Sequence, residues 1–281
     1  MTTSAAASAG DPAAAPEPDS GAAVRVEHPS SGVVLLTLAL PDKRNAMTAA
    51  MTQQWGAAVA SLAGDRSVRC VVVTGEGKAF CAGGDVGWLA AEPDAQPAEL
   101  RDRMLPFYRT WLSLRALDVP SIAAVNGAAV GAGGALALSC DIRYAGASAK
   151  FTVPFAQLGM AAGMATTWLL PEVVGLAHAR ELLLTGRVVD APEMLRLGLA
   201  SAVYEDGELL ERTLEHAGQV AAGAPVAQRL HTIALADGGH ASFEDALQWE
   251  ALAQPVTLAT SDLQEGLAAR AAKRPPQFHG R

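Results

Sequence analysis

Two stretches concentrate backbone groups able to do chemistry. Ala82-Gly83-Gly84-Asp85 follows an apolar, β-branched run at Cys70–Thr74 and precedes a predicted helix over Val86–Ala91. Gly131-Ala132-Gly133-Gly134 follows a second such run at Ile122–Val125 and precedes a predicted helix over Ala135–Ser139. Each is a strand–glycine–helix junction. The N–H groups at a helix start lack internal acceptors and can face a ligand, and glycine lets that ligand approach the backbone. Two such junctions facing one another would bring a pair of N–H donors to one carbonyl oxygen. Loss of one donor from a site of this kind typically costs about 2.7–4 kcal/mol of transition-state stabilisation.

The same glycines admit other readings. A dinucleotide loop needs Gly-x-Gly-x-x-Gly after the first strand with an acid some way on, and neither loop has that spacing. No Walker-type Gly-Lys-Ser/Thr occurs. Tight packing of a strand against a helix also calls for small residues, so the glycines alone leave a ligand site and a packing device equally open.

The elements that must position these loops follow from hydrophobic periodicity. Val33–Leu40 reads as a strand ending at the turn signal Pro41-Asp42. Met47–Leu62 has helical spacing, with Met51, Trp55, Val59 and Leu62 on one side. Leu100–Leu117 reads as a helix with mixed faces, and Pro120 leads from it into the Ile122–Val125 strand. Alternating buried strands and helices predict an α/β core with parallel pairing. After Gly223-Ala224-Pro225 the pattern changes to helices alone, at Val226–Ala236, Phe243–Ala259 and Asp262–Ala272. The expected organisation is a tail over residues 1–22, a core over 23–222 and a helical C-terminal subdomain over 223–281.

Composition narrows the function classes. Of 281 residues half are hydrophobic, enough to bury a large core. A formal net charge of −8 argues against a nucleic-acid surface. The only basic cluster is Arg270, Lys273 and Arg274, which on pattern alone reads as a solvated helix end. Cys70, Cys81 and Cys140 have no metal-type spacing and sit among apolar or small residues, so they read as buried thiols in a reducing, cytoplasmic setting. No apolar run is long enough to span a membrane. The first twenty-two residues lack both a signal-peptide pattern and the apolar content that would order them.

Several separate motifs, in order, are similar to the crotonase family, also called the enoyl-CoA hydratase/isomerase family. They are Arg44-Asn45-Ala46-Met47, Val71-Val72-Val73-Thr74-Gly75, Lys78-Ala79-Phe80-Cys81-Ala82-Gly83-Gly84-Asp85 and the stretch from Pro120 to Gly134. Cys140-Asp141-Ile142-Arg143, Leu183-Leu184-Thr185-Gly186, Gly198-Leu199-Ala200 and Lys273-Arg274-Pro275-Pro276-Gln277-Phe278 complete the series. The resemblance implies an α/β spiral of ββα turns, a helical C-terminal region that forms a homotrimer or dimer of trimers, and an acyl-CoA thioester ligand. It implies no cofactor beyond the CoA moiety. It implies that Gly84 and Ala132 donate N–H groups to the thioester oxygen, that Ala82 holds the CoA adenine through its backbone, and that Lys273 approaches the CoA phosphates. Ala132 stands where glycine is usual, and its N–H survives that change if φ stays negative.

The sequence departs from the family's hydratases where protons must move. The two positions that resemblance assigns to their catalytic glutamates hold Ala135 and Phe155. Residues 151–164 contain no Asp, Glu, His, Lys or Tyr, and the position of the aryl-CoA dehalogenase aspartate holds Gly163. General acid–base catalysis contributes about 10²–10⁴-fold, so efficient hydration is not expected. Phe155, Met160, Met164 and Trp88 would form an apolar acyl wall, although Met164 reads at least as well as core. Tyr108 lies on the helix that passes the acyl pocket in this family; its hydroxyl could donate a hydrogen bond or act as a base, but a surface or interface tyrosine is the favoured reading. Asp85 reads as a helix-capping carboxylate and Asp141 as a paired acid at a buried strand start. The six histidines fall outside the pocket segments. The leading expectation is a divergent family enzyme of the lyase or isomerase class. The alternative is a non-catalytic acyl-CoA binding or carrier protein.

Overall fold

The computed structural model describes residues 21–281 apart from 86, 88–89, 91–93 and 237–239. The tail expected over 1–22 therefore lies outside the described residues except for Gly21 and Ala22. The helix expected over Val86–Ala91 lies mostly outside them, and so does Trp88.

The chain steps repeatedly from one sheet to a second and then into a helix. In the larger sheet, β1 (Val24–Ser30), β2 (Val33–Leu38), β3 (Cys70–Gly75), β5 (Ser121–Val125), β7 (Ile142–Gly146) and β10 (Ala202–Tyr204) lie in that order. All neighbours are parallel except β1, which pairs antiparallel with β2. In the smaller sheet, β4 (Ala79–Cys81), β6 (Ala128–Val130) and β8 (Lys150–Thr152) run parallel, and β9 (Val189–Asp190) closes it antiparallel. The pairs β3–β4, β5–β6 and β7–β8 each lead on to a helix, which makes the turns of a ββα spiral.

Continuous apolar strands fit a sheet covered on both faces. Along β2 and β3 alternate residues divide between two cores. Val34, Leu36, Leu38, Val71 and Val73 face the main one, and Val33, Leu35, Cys70 and Val72 face the other. The second core lies beneath a helix at Leu209–Ala221, whose Leu209, Ala217 and Ala221 are buried in it. The first helix, α1 (Ala49–Leu62), buries Met51, Trp55, Val59 and Leu62, the face read from spacing, and is capped by Thr48, whose hydroxyl accepts from the Met51 N–H.

Three helices follow residue 223, at Pro225–Leu235, Phe243–Leu258 and Ser261–Ala271, close to their expected bounds. One expectation needs correction here. The helix read as Leu100–Leu117 is α2 (Pro97–Trp111), followed by a separate 3-10 turn at Ser113–Ala116. There the Ser113 hydroxyl bonds back to the Thr110 carbonyl, and the tighter turn brings Leu114 into the core. β1 carries a mostly exposed pattern that includes Pro29, as an edge strand can, and gave no clear apolar signal.

Candidate functional site

The two glycine junctions come together at the ends of the β4–β6 pair. Gly83 adopts φ +92°, and a Cβ placed there would lie 2.6 Å from the Val130 carbonyl oxygen and 3.3 Å from the Ala132 nitrogen. Only a residue without a side chain lets the first loop rest on the second. The same demand recurs at Gly133, where a Cβ would lie 2.1 Å from the Cys81 oxygen.

The second junction differs from its expected form in a way that matters. Its helix, α3 (Ala132–Ser139), begins at Ala132 rather than Ala135, with Gly131 as the N-cap at φ 54°. Ala132 is thus the first helical residue, its φ is negative, and its N–H has no intrahelical acceptor. Among the described residues neither the Gly84 nor the Ala132 N–H has a protein acceptor. Both residues are half-exposed, while Gly83, Gly131, Gly133 and Gly134 around them are buried. Backbone donors therefore reach the surface at two neighbouring points on a buried glycine scaffold.

The first loop is held by a side chain that the sequence analysis quoted only as part of a motif. Asn45 is fully buried in a left-handed conformation, φ 56°. Its Oδ1 accepts from the Leu40 N–H at 2.9 Å, and its Nδ2 donates to the Glu76 and Ala79 carbonyls at 3.0 and 2.8 Å. The Ala82 N–H donates to the Arg44 carbonyl, and the Met47 N–H to the Gly83 carbonyl, each within 2.9 Å. Asn126 adds a second clamp, accepting from the Gly75 N–H at 3.1 Å and donating to the Gly77 carbonyl at 3.0 Å. With the Ala82 N–H so engaged, its carbonyl is the group left for a ligand: among the described residues nothing donates to it.

Ala135 is fully buried in the last layer beneath the second loop, its N–H bonded to the Gly131 carbonyl. Phe155 is half-buried, and its ring lies 3.8 Å from where a Gly131 Cβ would stand, so it flanks the Ala132 junction. Met160 is exposed, with its N–H bonded to the Phe155 carbonyl. Met164 is buried in the main core, as its plain reading had it. Tyr108 is half-buried on α2, which is fixed to α1 by stacked Trp55 and Trp111 rings 5.1 Å apart and by the Trp111 Nε1–H donating to Thr52 Oγ1 at 3.0 Å.

Of the remaining predicted residues, Lys273 and Asp141 lie on other segments, and Asp85 follows Gly84 on the first loop. Lys273 is exposed at φ 52°, and its N–H donates to the Arg270 carbonyl within the C-terminal segment. Asp141 accepts from the Ser121 N–H and hydroxyl at 2.7 and 2.6 Å, so it is paired, but it is exposed rather than buried because the strand begins one residue later. Asp85 turns its Oδ1 back toward Gly87. The three cysteines are buried and free, and burial pushes each thiol up to about 12, so none is a thiolate near neutral pH.

A family model described as enoyl-CoA hydratase/isomerase matches residues 28–281. The chain belongs to that family. Among enoyl-CoA hydratase/isomerase relatives, the chain is 47% identical over 174 residues to a protein named probable enoyl-CoA hydratase EchA14 of Mycobacterium tuberculosis, covering 62% of this chain and 67% of the relative. It is 33% identical over 257 residues to the 1,2-epoxyphenylacetyl-CoA isomerase of Escherichia coli, covering 91% and 98%. The fold superimposes on the crystal structure of an enoyl-CoA hydratase from Bacillus anthracis with a TM-score of 0.86 at 31% identity, covering 92% of this chain and all of that one. The spiral and its helical C-terminus are thus those of the crotonase fold. No helix among the described residues is long and apolar enough to cross a membrane.

Proposed function

We propose that this protein binds an acyl-CoA thioester with its carbonyl oxygen between the Gly84 and Ala132 N–H groups, and that it acts on the thioester without the acid–base pair of a hydratase. One observation carries the reading: two unpartnered backbone donors stand on glycine loops that touch at Gly83. Donors fixed by the fold stabilise negative charge on an oxyanion without reorganising during the reaction. Drawing electron density to the oxygen acidifies the carbon next to the carbonyl and favours an enolate. Ala135 and the residues 151–164 supply no group to take up or return that proton. Hydration, which needs an oriented water and a proton donor, is accordingly weak, whereas chemistry that needs enolate stabilisation alone is retained.

In this reading the Ala82 carbonyl meets the CoA adenine. Phe155, Met160 and Tyr108 line the acyl group, which favours a chain of some length, and no cofactor beyond CoA takes part. Lys273 meets the CoA phosphates, and the reading includes a homotrimer or a dimer of trimers. Large exposed apolar side chains support such assembly: Trp168, Leu176, Leu184, Leu235, Leu252 and Leu267 would otherwise face water.

The absence of ionisable side chains also favours a second reading, a non-catalytic acyl-CoA carrier. Calorimetric titration with hexanoyl-CoA, acetyl-CoA and free CoA, followed by turnover assays with crotonyl-CoA and malonyl-CoA, separates the cases. Tighter binding of hexanoyl-CoA with crotonyl-CoA hydration far below enzymatic rates supports the proposal. Malonyl-CoA turnover then favours the enzyme, and binding without any turnover favours the carrier. Rapid crotonyl-CoA hydration, or binding no tighter than free CoA, refutes the proposal.

A further inference from the structure

Position 163 is occupied from outside. A Cβ built on Gly163 would lie 2.6 Å from the Tyr108 hydroxyl oxygen and 3.0 Å from its Cζ, so the phenol fills the space a side chain there would take. The backbone beneath is pinned. The Gly163 carbonyl accepts from the Thr166 N–H at 3.1 Å and the Thr166 hydroxyl at 2.6 Å, and the next two residues, Met164 and Ala165, are both held left-handed at φ 52° and 53°. Consecutive non-glycine residues in that region persist only where the surroundings fix them, and such strain gathers at ligand sites.

The contact falls at the far end of the segment that begins at Phe155. Residues 155–163 run from the Phe155 ring, which packs at Gly131, to the glycine under the phenol. Among the described residues the Tyr108 hydroxyl has no hydrogen-bond partner, and residues 155–163, whose last glycine it covers, carry no ionisable side chain. Burial holds the phenol above the usual tyrosine range, so it is neutral near pH 7 and offers an O–H donor.

We propose that Tyr108 is a positioning and specificity-determining residue whose hydroxyl donates to an oxygen carried on the acyl chain, so that the preferred ligands are acyl-CoAs bearing a hydroxyl or keto oxygen beyond the thioester rather than plain alkyl chains. This rests on the acyl-CoA reading above. A plain alkyl chain leaves the phenol facing hydrocarbon without an acceptor, whereas a chain oxygen satisfies it.

The test is calorimetric binding of butyryl-CoA, 3-hydroxybutyryl-CoA and acetoacetyl-CoA to the full chain. The wild type should bind at least one oxygenated ligand about 2- to 12-fold more tightly than butyryl-CoA, the range of one neutral hydrogen bond. Tyr108→Phe should erase that preference, so that the oxygenated ligands bind no more tightly than butyryl-CoA does to the same variant. Gly163→Ala, which pushes the phenol away without removing it, should erase it as well and keeps the test available if the Phe variant fails to fold. Equal affinities in the wild type, with butyryl-CoA still bound more tightly than free CoA, overturn the role of Tyr108 alone. A preference that survives either substitution in a folded variant overturns it too. If no acyl-CoA binds more tightly than free CoA, the acyl-CoA reading itself fails and takes this inference with it.

Discussion

Substituting Gly83 by Ala probes the contact between the two loops. At φ +92° a side chain adds backbone strain of about 1–3 kcal/mol. The new Cβ would also stand 2.6 Å from the Val130 carbonyl, which belongs to a strand and cannot swing aside as a side-chain tip would. Overpacking of that kind costs about 1–3 kcal/mol, so the variant should lose roughly 2–6 kcal/mol in all. To regain ordinary van der Waals contact the loops must part by about 0.8 Å. Misplacement of about that size can cost on the order of 10²-fold where geometry decides the rate. Urea denaturation at matched protein concentration should show the midpoint falling, and hexanoyl-CoA titration should show weakened binding under conditions where the variant is folded. A midpoint equal to wild type together with unchanged affinity would refute the idea that direct contact at Gly83 sets the spacing of the two donors.

Other outcomes follow from the same geometry. Asn45→Ala strips one buried and two partly buried hydrogen bonds from the segment that holds the first loop and leaves their backbone partners unsatisfied, a loss of roughly 2–4 kcal/mol readable in urea; a change below about 0.5 kcal/mol, the ordinary surface range, would show that Asn45 does not clamp the loop. Glu265 is held at about 2 by hydrogen bonds from Arg274 and the Gln277 N–H. Its folded value lies below its unfolded one, so its stabilising contribution is present above about pH 4.3 and is lost as pH falls toward 2. Glu265→Gln should flatten the fall of the urea midpoint across that window, and an unchanged profile would show that the strap from Arg274 to Phe278 does not depend on this carboxylate. In an ultraviolet titration, Tyr108→Phe should remove a phenol that ionises above the ordinary tyrosine range; removal of an ordinary one would contradict the burial described here.

Much of the architecture was legible in the chain. The buried strands at residues 33–38, 70–75 and 121–125 announce themselves because both sheet faces are covered, and the C-terminal helices announce themselves by their spacing. The glycine loops were legible as junctions, but their meeting was not. Gly83 touches Val130 across 47 positions of sequence, and no local pattern encodes that distance. The start of α3 at Ala132 was hidden because Ala-Gly-Gly-Ala has no capping side chain, and Gly131 starts the helix through its backbone angle alone. Asn45 was legible only as part of a motif, because its partners Leu40, Glu76 and Ala79 are identified by the folded chain alone. Tyr108 could be placed on a helix but not over Gly163, since that contact depends on how α2 docks onto α1 through the tryptophan pair.

The central claim concerns polarisation of a carbonyl, and a vibrational measurement reads it directly. With hexanoyl-CoA carrying carbon-13 at the thioester carbonyl, the isotope-edited C=O band of the bound ligand should fall below its position in water. Ala132→Pro removes one donor at a first-turn position where proline suits a helix, and the band should then move back toward its free value while the protein stays folded. A band unshifted on binding, or a shift untouched by the proline, would contradict an oxyanion site built from Gly84 and Ala132.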